Sequence, residues 1–562
     1  MSSSFEVLRR ERAGRPVPRT MMDAPLRVTD VMRRAELLFP DVELVSRHGP
    51  GDVRRSSYRA VAQEALALAG ALKGLGIQPG QRVATLMWNH AAHLAAYYAV
   101  PAIGAVLHPL NPRLMAEELA YIVADAGDVA LLVDDDLLPL WQQVAEHVQL
   151  DHVIVHPLGV DASLAVSAPE HRYHLWSATL AAATPLPGWP EDAFDEHDPV
   201  SICYTSGTTG RPKGVVYSHR SILLHGLGAA TPDALNLSGR DTVMALAPMF
   251  HANAWSMPHT SAMLGQKQVF TGPRASPAEI MDLFVNEQAN VSLGVPTFWS
   301  DVLNVIDQHP GRWTFPAGTR IYCGGSAPPP EMFRRFDRLG VHLQTGWGMT
   351  ETSPMGSQTW VRPEYRDLTG EDLIHLRVSN GLPLPFIEMR HVDESGAVQP
   401  RDGVAMGELQ VRGPWVTSAY IGHPQPISAT TADGWMKTGD IVVFQPDGYM
   451  RLVDRLKDLV KSGGEWISSV DMEKALCDHP AVAEAAVIAV PDERWSERPL
   501  ALVVLKAGHA DVGARDIQDH LRPRFAKWMV PDHIEFVTEL PRTSVGKLNK
   551  LALRRLYANP GR

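Results

Sequence analysis

The stretch YTSGTTGRPKG, from Tyr204 to Gly214, gathers three glycines, four hydroxyl side chains besides the tyrosine, and two cations into eleven residues. Glycines let backbone amides approach an anion, while hydroxyls and a lysine supply further donors. Apolar runs precede and follow it, at 199–204 and 215–217, which predicts a tight loop between ordered segments rather than a flexible linker. The stretch therefore indicates a phosphate-binding loop.

This loop does not follow the P-loop pattern. A P-loop has glycine immediately before its lysine and serine or threonine after it. Here Pro212 precedes Lys213 and Gly214 follows it. If the stretch binds a nucleotide, it belongs to a different class of nucleotide-binding protein.

The residues before the loop alternate between helical and strand patterns. Apolar spacing predicts helices over 58–75, about 90–103 and 115–126. Short apolar runs predict strands over 82–87, near Val106 and over 129–133. Such alternation predicts an α/β fold with parallel sheets and helices on both faces.

Three later apolar segments end in loops rich in Gly, Pro or His: VMALAPMF (243–250), VSLGVPTFW (291–299) and TRIYCGGSAPPP (319–330). In open α/β sheets the loops after the strands build ligand sites. After about Arg390 the chain changes to short alternating segments, which predict a β-rich subdomain. We place a domain boundary near Lys457, giving an extension at 1–21 that we expect to be disordered, a large domain at 22–456, and a small mobile α+β domain at 457–562.

Composition excludes several classes of protein. A net charge of −11, without a basic run, argues against nucleic acid as a partner. The three cysteines, Cys203, Cys323 and Cys477, form no CxxC pair, which favours a reducing compartment and disfavours a disulfide framework or a zinc site. No apolar run reaches the roughly 18 residues of a membrane span. We therefore expect a soluble cytoplasmic protein; the arginine-containing N-terminus also contains acids, which disfavours a mitochondrial presequence.

Five motifs follow one another along the chain: YTSGTTGRPKG, GWGMTE (346–351), TGD (438–440), DRLKD (454–458) and PRTSVGK (541–547). In this order and spacing they resemble the adenylate-forming superfamily, which includes acyl-CoA synthetases, adenylation domains and luciferases. The resemblance covers nearly all of residues 22–555. PMFHANAW (248–255) and KSGGEWIS (461–468) resemble the fatty acyl-CoA synthetase branch.

The resemblance implies a two-step reaction. A carboxylate first attacks the α-phosphate of ATP, giving an acyl-AMP and pyrophosphate, and a thiol, here that of CoA, then displaces AMP. ATP and Mg²⁺ would be required and CoA would be the second substrate. Catalysis of such a displacement consists mostly of positioning and charge neutralisation.

The resemblance also assigns roles to residues. Thr205 and the rest of its loop would hold phosphates, with Thr350 adding a hydroxyl contact. Glu351 would ligate Mg²⁺, a hard cation that prefers oxygen. Asp440 would accept bonds from the ribose hydroxyls and Arg455 would contact ribose or phosphate. Lys547 would bridge the substrate carboxylate and the α-phosphate. The implied nucleotide site comprises Thr205, Ser206, Gly207, Thr208, Thr209, Gly210, Lys213, Gly346, Trp347, Gly348, Thr350, Glu351, Asp440 and Arg455, with Lys547, Glu351 and Thr205 as catalytic residues.

Two positions depart from the pattern of many relatives. Trp347 stands where many have tyrosine, so stacking on adenine is retained and any contact of that hydroxyl is lost. Lys457 stands where many have aspartate at the hinge between two orientations of the C-terminal domain. Either residue can absorb a backbone rotation. In the second orientation Gly463, Gly464 and Glu465 would line the path of the CoA pantetheine arm.

The acid is less well determined. Phe250 begins a loop that lacks the early aspartate of amino-acid-activating relatives, which disfavours an amino acid substrate. The expected acyl site comprises His251, Trp255, Val295, Pro296, Gly324, Gly325 and Gly346, with Trp255 as a gate. We expect a medium- or long-chain fatty acid; a short thioether acid such as 3-methylmercaptopropionate is the alternative.

Two further classes remain as alternatives to a ligase. A luciferase-like oxygenase would share the adenylation residues. A non-catalytic binding protein would be expected to lack Lys547 or Glu351, and both are present. Long-chain relatives also suggest a homodimer.

Overall fold

The computed structural model describes residues 21–22, 24–158, 172–191, 194–205, 211–422, 430–463, 465–509, 511–542 and 548–557. Within these ranges the chain forms four β-sheets with helices packed on the larger two. The α/β class predicted from the alternating pattern is confirmed.

A seven-stranded sheet carries the Tyr204–Gly214 stretch at one edge. Its strands are parallel except for the last pair, which is antiparallel and flanks that stretch. In spatial order they are Tyr173–Leu175, His152–His156, Asp128–Asp134, Arg82–Leu86, Val106–Pro109, Pro199–Tyr204 and Gly214–Ser218.

A nine-stranded sheet forms the second layer. Its central six strands are parallel, and antiparallel strands close both edges. In spatial order they are Leu382–Pro383, Met355–Gln358, His342–Gly348, Arg320–Cys323, Val291–Gly294, Thr242–Ala245, Lys267–Phe270, Glu43–Gly49 and Asp52–Ser57.

Two smaller sheets follow in the chain, as the change of pattern after Arg390 predicts. An antiparallel sheet contains Glu388–Val392, Gly407–Arg412, Met436–Phe444 and Met450–Arg455. A last sheet contains Glu465–Ile467, Val460–Ser462, Ser496–Leu505 and Val482–Asp492, with His533–Phe536 pairing parallel to Ser496–Leu505. Lys457 lies between these two sheets in the chain.

Fifteen right-handed α-helices occur in the described ranges. Several begin at a side-chain cap, such as Ser57, which accepts a hydrogen bond from the Ala60 backbone amide. Their bounds are Val28–Leu38, Tyr58–Gly74, Ala91–Ala102, Ala116–Ala126, Leu138–Ala145, Trp176–Ala182, His219–Ala230, Met257–Leu264, Pro277–Asn286, Pro296–Gln308, Pro330–Arg338, Gly370–Arg377, Ser469–Cys477, Ala514–Leu521 and Lys550–Tyr557.

The main core lies between the two large sheets. Every residue from Ala92 to Ala102 is buried, which is typical of a helix that is apolar all round. This helix and Tyr58–Gly74 share one apolar cluster with strand residues of both sheets, including Val83, Val200 and Phe270. None of the described helices is both long and apolar enough to cross a bilayer.

Candidate active site

A cavity of about 660 Å³ opens where the parallel strands of the nine-stranded sheet end. Leu246, Gly294, Cys323 and Gly348, each at the end of a strand or just beyond it, line the cavity. Small-molecule sites commonly measure about 300 to 1,000 Å³. The position agrees with the expectation that loops after these strands carry ligand-binding residues.

The candidate phosphate loop connects two paired strands at the edge of this cavity. Tyr204 lies opposite Gly214 in the antiparallel pair. The Thr205 amide donates to the Lys213 carbonyl at 2.9 Å, and the Lys213 amide donates to Thr205 Oγ1 at 3.2 Å. Thr205 and Lys213 both line the cavity. Five predicted residues of the loop lie outside the described residues: Ser206, Gly207, Thr208, Thr209 and Gly210.

Two further cations line the cavity with Lys213. The guanidinium of Arg211 lies 5.0 Å from the ring centroid of Tyr121, and that of Arg113 lies 5.8 Å from the centroid of Phe250. Neither arginine was predicted from the sequence as a site residue. Arg211 stands inside the quoted loop and could have been included, whereas no sequence signal relates Arg113 to that loop. Together the three cations make the cavity suited to an anion.

Glu351 also lines the cavity, on a short 3₁₀ turn, Thr350–Thr352. The side chain is buried, and its Oε1 accepts a hydrogen bond from the Tyr420 hydroxyl at 2.7 Å. Burial and then the Glu351 carboxylate raise the pKa of Tyr420, so the phenol keeps its proton and remains a donor. A carboxylate beside a phosphate site fits a magnesium ligand. Tyr420 carried no signal in the sequence.

Trp347 and Asp440 meet beside the cavity although 92 residues separate them. The indole Nε1–H donates to Asp440 Oδ2 at 2.7 Å, and Arg455 Nε lies 2.7 Å from Oδ1. Asp440 is fully buried. The three residues that the resemblance assigns to adenine, ribose and phosphate are therefore in direct contact.

Gly346 and Gly348 flank Trp347 and line the cavity. A Cβ atom at Gly346 would lie 2.3 Å from the Ser357 carbonyl oxygen, and one at Gly348 would lie 2.0 Å from that of Pro354. Side chains are therefore excluded by the neighbouring strand. These glycines let the strand carrying Trp347 pack directly against Met355–Gln358.

The predicted acyl residues belong to the same cavity. His251, Trp255, Val295, Gly324, Gly325 and Gly346 all line it, joined by the apolar side chains of Leu235, Leu246, Phe298 and Tyr322. A Cβ atom at Gly324 would lie 2.9 Å from Trp255 Cη2, so the indole rests against the glycine. Pro296 begins the helix Pro296–Gln308 behind this wall.

Trp255 is carried by a left-handed turn that the sequence did not predict. Ala252, Asn253, Ala254, Trp255 and Ser256 have φ angles of 45°, 52°, 48°, 58° and 63°. Such angles cost L-residues other than glycine about 1–2 kcal/mol each, and of these only asparagine is known for tolerating them. A turn of this kind persists where tertiary contacts impose it.

Asn253 supplies such contacts. Its Nδ2 donates to Ser201 Oγ at 2.9 Å, and its Oδ1 accepts from the Tyr97 hydroxyl at 3.2 Å and from Cys203 Sγ at 3.4 Å. The side chain is buried. It therefore anchors the turn to the strand that leads into the phosphate loop.

The predicted hinge lies at the mouth of the cavity. Arg455, Leu456 and Lys457 line it, and desolvation lowers the pKa of Lys457. Gly463 is not part of the lining: its amide donates to the Trp495 carbonyl at 2.8 Å, and a Cβ atom there would lie 2.7 Å from the Trp495 ring. Gly464 and the side chain of Glu465 lie outside what the structure describes.

Lys547 also lies outside the described residues, but both flanks of its loop are described. Arg542 and Leu548 form a β-bridge. Arg542 acts electrostatically on Asp301, a residue of the helix behind the acyl wall: burial raises the pKa of Asp301, and Arg542 opposes that shift. Arg542 also forms an ion pair with Glu484 of the strand Val482–Asp492 at 2.9 Å, which ties the base of the loop to that strand.

A separate cluster of metal-ligating side chains lies at the end of the strand Asp128–Asp134. His90 Nε2 lies 3.0 Å from both oxygens of Asp134, and His156 Nδ1 lies 3.0 Å from Oδ1. His90 Nδ1 accepts from the His93 amide, so Nε2 carries the ring proton and donates to Asp134. This hydrogen bonding accounts for the cluster without an ion, since a metal on Nε2 would require a proton on Nδ1.

Family models match most of the chain. The AMP-binding enzyme model matches residues 33–421, and the model of the AMP-binding enzyme C-terminal domain matches residues 471–547. The chain belongs to the AMP-binding enzyme family. The resemblance on which the site residues were named is therefore confirmed, although the role of each residue is not tested by it.

Curated relatives match over nearly their whole length. A long-chain-fatty-acid–CoA ligase of Thermus thermophilus is 44% identical over 96% of this chain and 97% of its own. A medium-chain-fatty-acid–CoA ligase of Ectopseudomonas oleovorans is 39% identical, with coverage of 96% and 97%. A 3-methylmercaptopropionyl-CoA ligase of Ruegeria lacuscaerulensis is 38% identical, with coverage of 95% and 98%.

Among solved structures, the anthranilate CoA ligase AuaEII in complex with anthranoyl-AMP has a TM-score of 0.80 at 25% identity, covering 95% of this chain and 98% of its own. The described fold is thus that of an adenylate-forming enzyme with a small C-terminal domain. The chain is an acid–thiol ligase of this family, and ATP and CoA are the substrates that the family implies.

Proposed function

We propose that this ligase activates a medium- or long-chain fatty acid. The carboxylate displaces pyrophosphate from ATP to form an acyl-AMP, and the CoA thiolate then displaces AMP to form the thioester. The observation that carries the proposal is a single cavity lined both by the cations Arg113, Arg211 and Lys213 and by apolar side chains around Trp255. Such a cavity can hold a polyphosphate and an alkyl chain at once.

The apolar lining argues for a hydrocarbon acid. Leu235, Leu246, Val295 and Phe298 offer no hydrogen-bonding side chain, so a polar acyl group there would lose its hydration without replacement. No carboxylate stands in the segment 251–255 to pair with an ammonium group. Two of the three curated relatives described above are named for fatty acids, which supports the same choice.

We assign the phosphates to Thr205, Lys213 and their loop, with Thr350 adding a hydroxyl. Mg²⁺ bound to Glu351 would neutralise charge on the phosphates. The proton on Tyr420 orients the carboxylate for that task, because its hydroxyl donates to Oε1. Lys547 would approach the reacting carboxylate and α-phosphate; the position of Arg542 near Asp301 supports an approach from the acyl side.

We infer that the C-terminal unit rotates between the two half-reactions about Lys457. Its position between two sheets and at the mouth of the cavity supports this domain boundary. Gly463, now held against Trp495, would reach the cavity with Gly464 and Glu465 only after the rotation. Free cysteines at 203, 323 and 477 support a reducing, cytoplasmic setting.

A short thioether acid is the second candidate, because a 3-methylmercaptopropionyl-CoA ligase is 38% identical over 95% of this chain. Trp255 resting on Gly324 would suit a short acid if the indole stays in place.

Pyrophosphate release with acids from two to eighteen carbons, and with thioether and aromatic acids, tests the proposal. We expect the highest kcat/KM with medium or long saturated acids and an acyl-CoA product. Turnover restricted to 3-methylmercaptopropionate would favour the second candidate, and turnover of aromatic acids alone would contradict both. Light emission without thioester would indicate the luciferase-like alternative.

A further inference from the structure

The contact between Trp347 and Asp440 is a hydrogen bond as well as a packing contact. The indole N–H donates to Asp440 Oδ2 at 2.7 Å. Trp347 is 6% exposed and Asp440 is not exposed at all. A hydrogen bond from a neutral donor to a buried carboxylate is stronger than one between two neutral groups.

The carboxylate of Asp440 is held on both sides. Arg455 Nε lies 2.7 Å from Oδ1, while Oδ2 receives the indole proton. A buried carboxylate without such partners would lose its hydration without compensation. Arg455 contributes charge at Oδ1, but Oδ1 accepts no hydrogen bond from the described residues, so the orientation of the carboxylate is set by the indole hydrogen bond on Oδ2.

The indole itself cannot turn freely. A Cβ atom at Gly356 would lie 2.5 Å from Trp347 Cζ3 and 3.0 Å from Met389 Cε. The ring thus lies directly on the backbone of the strand Met355–Gln358 while also lining the cavity. Its N–H keeps a fixed direction towards Asp440.

We propose that Trp347 is a positioning residue for recognition of the ribose. Its N–H orients Asp440 to accept hydrogen bonds from the ribose hydroxyls, so selectivity for ATP over deoxynucleotides depends on the indole nitrogen and not only on the aromatic face. This rests on the proposed ATP-dependent ligase function. It goes beyond the stacking role that position 347 has by resemblance.

The test compares the full-length wild type and Trp347→Phe in kcat/KM for ATP, 2′-deoxy-ATP and 3′-deoxy-ATP. Phenylalanine keeps an aromatic face and removes the donor. Weaker stacking would lower all three values together, whereas loss of Asp440 orientation lowers the ATP value further. We expect the preference for ATP over at least one deoxy analogue to fall by about fivefold to tenfold.

Asp440→Ala, which removes the acceptor altogether, provides the cycle that separates the two roles. In that background Trp347→Phe should no longer change the ratio of ATP to deoxy-ATP, since the acceptor through which Trp347 acts has been removed. Trp313→Phe is the matched control, because Trp313 Nε1 also donates to an aspartate, Asp282, at 2.7 Å and that residue is not part of the cavity lining. The ratio of kcat/KM for ATP to that for deoxy-ATP should be the same in Trp313→Phe as in the wild type.

The outcomes are distinguishable. If the wild type makes no acyl-CoA from ATP, the proposed function fails. If the wild type is active and Trp347→Phe lowers kcat/KM equally for all three nucleotides, the positioning role is wrong and stacking alone accounts for Trp347. If Trp347→Phe still changes the ratio in the Asp440→Ala background, the inference is also overturned. Thermal unfolding of each variant identifies any that fail to fold.

Discussion

The two sites within the cavity are built by different physical means. At the nucleotide site, polar groups hold one another: Trp347 and Arg455 on Asp440, and Tyr420 on Glu351. At the acyl site the lining is mostly apolar, and its position depends on a left-handed turn anchored by Asn253. A hydrogen bond restricts both the distance and the angle between its partners, whereas apolar contacts restrict mainly the volume that a side chain or ligand can fill. Under the proposed function, the polar contacts around Asp440 and Glu351 would set the type of reaction, and the apolar lining around Trp255 would set the choice of acid.

The largest effect should come from Lys547→Ala. We expect the rate of acyl-AMP formation to fall by about two to three orders of magnitude, because a transition-state contact is lost. Pyrophosphate release measures this rate. Thioester formation from supplied acyl-AMP should change little. Lys506→Ala, at an exposed lysine just after the strand Ser496–Leu505, is the control. Equal losses in both half-reactions would contradict a role of Lys547 that is confined to acyl-AMP formation.

Asn253→Ala should destabilise the protein by about 1–3 kcal/mol in urea unfolding, since buried partners at Ser201 and Cys203 lose their hydrogen bonds to Asn253. Asn253→Gly removes the same bonds but accepts a positive φ more readily, so its loss should be smaller by about 1 kcal/mol. If glycine were as harmful as alanine or more so, backbone strain would not be a distinguishing property of the acyl site.

The smallest and most selective effect should come from Gly324→Ala. The added Cβ would meet the Trp255 ring at 2.9 Å and narrow the acyl site. We expect kcat/KM for the longest accepted acid to fall about tenfold relative to that for a short acid. Gly74→Ala, where a Cβ meets nothing within 4 Å, should leave the ratio unchanged. A uniform loss for all acids would argue that Gly324 does not limit chain length.

Local patterns predicted much of the fold. The helix expected over 58–75 is Tyr58–Gly74, and the strand expected over 129–133 is Asp128–Asp134. In both segments the spacing of apolar residues is clear, and most of these apolar residues are buried in the fold. The turn at Ala252–Ser256 could not be predicted in this way, because it contains no glycine and its conformation is imposed by distant partners.

The amino-acid sequence by itself determined the class of chemistry, since glycines, hydroxyls and Lys213 must stand close together in the chain to form one loop, and the later motifs follow in a recognisable order. Only the tertiary structure decided which of those motifs touch. The contact of Trp347 with Asp440, the donation of Tyr420 to Glu351 and the anchoring of Trp255 through Asn253 all join residues far apart in sequence. Such contacts leave no periodicity to read, because burial and hydrogen bonding act through space and not along the chain.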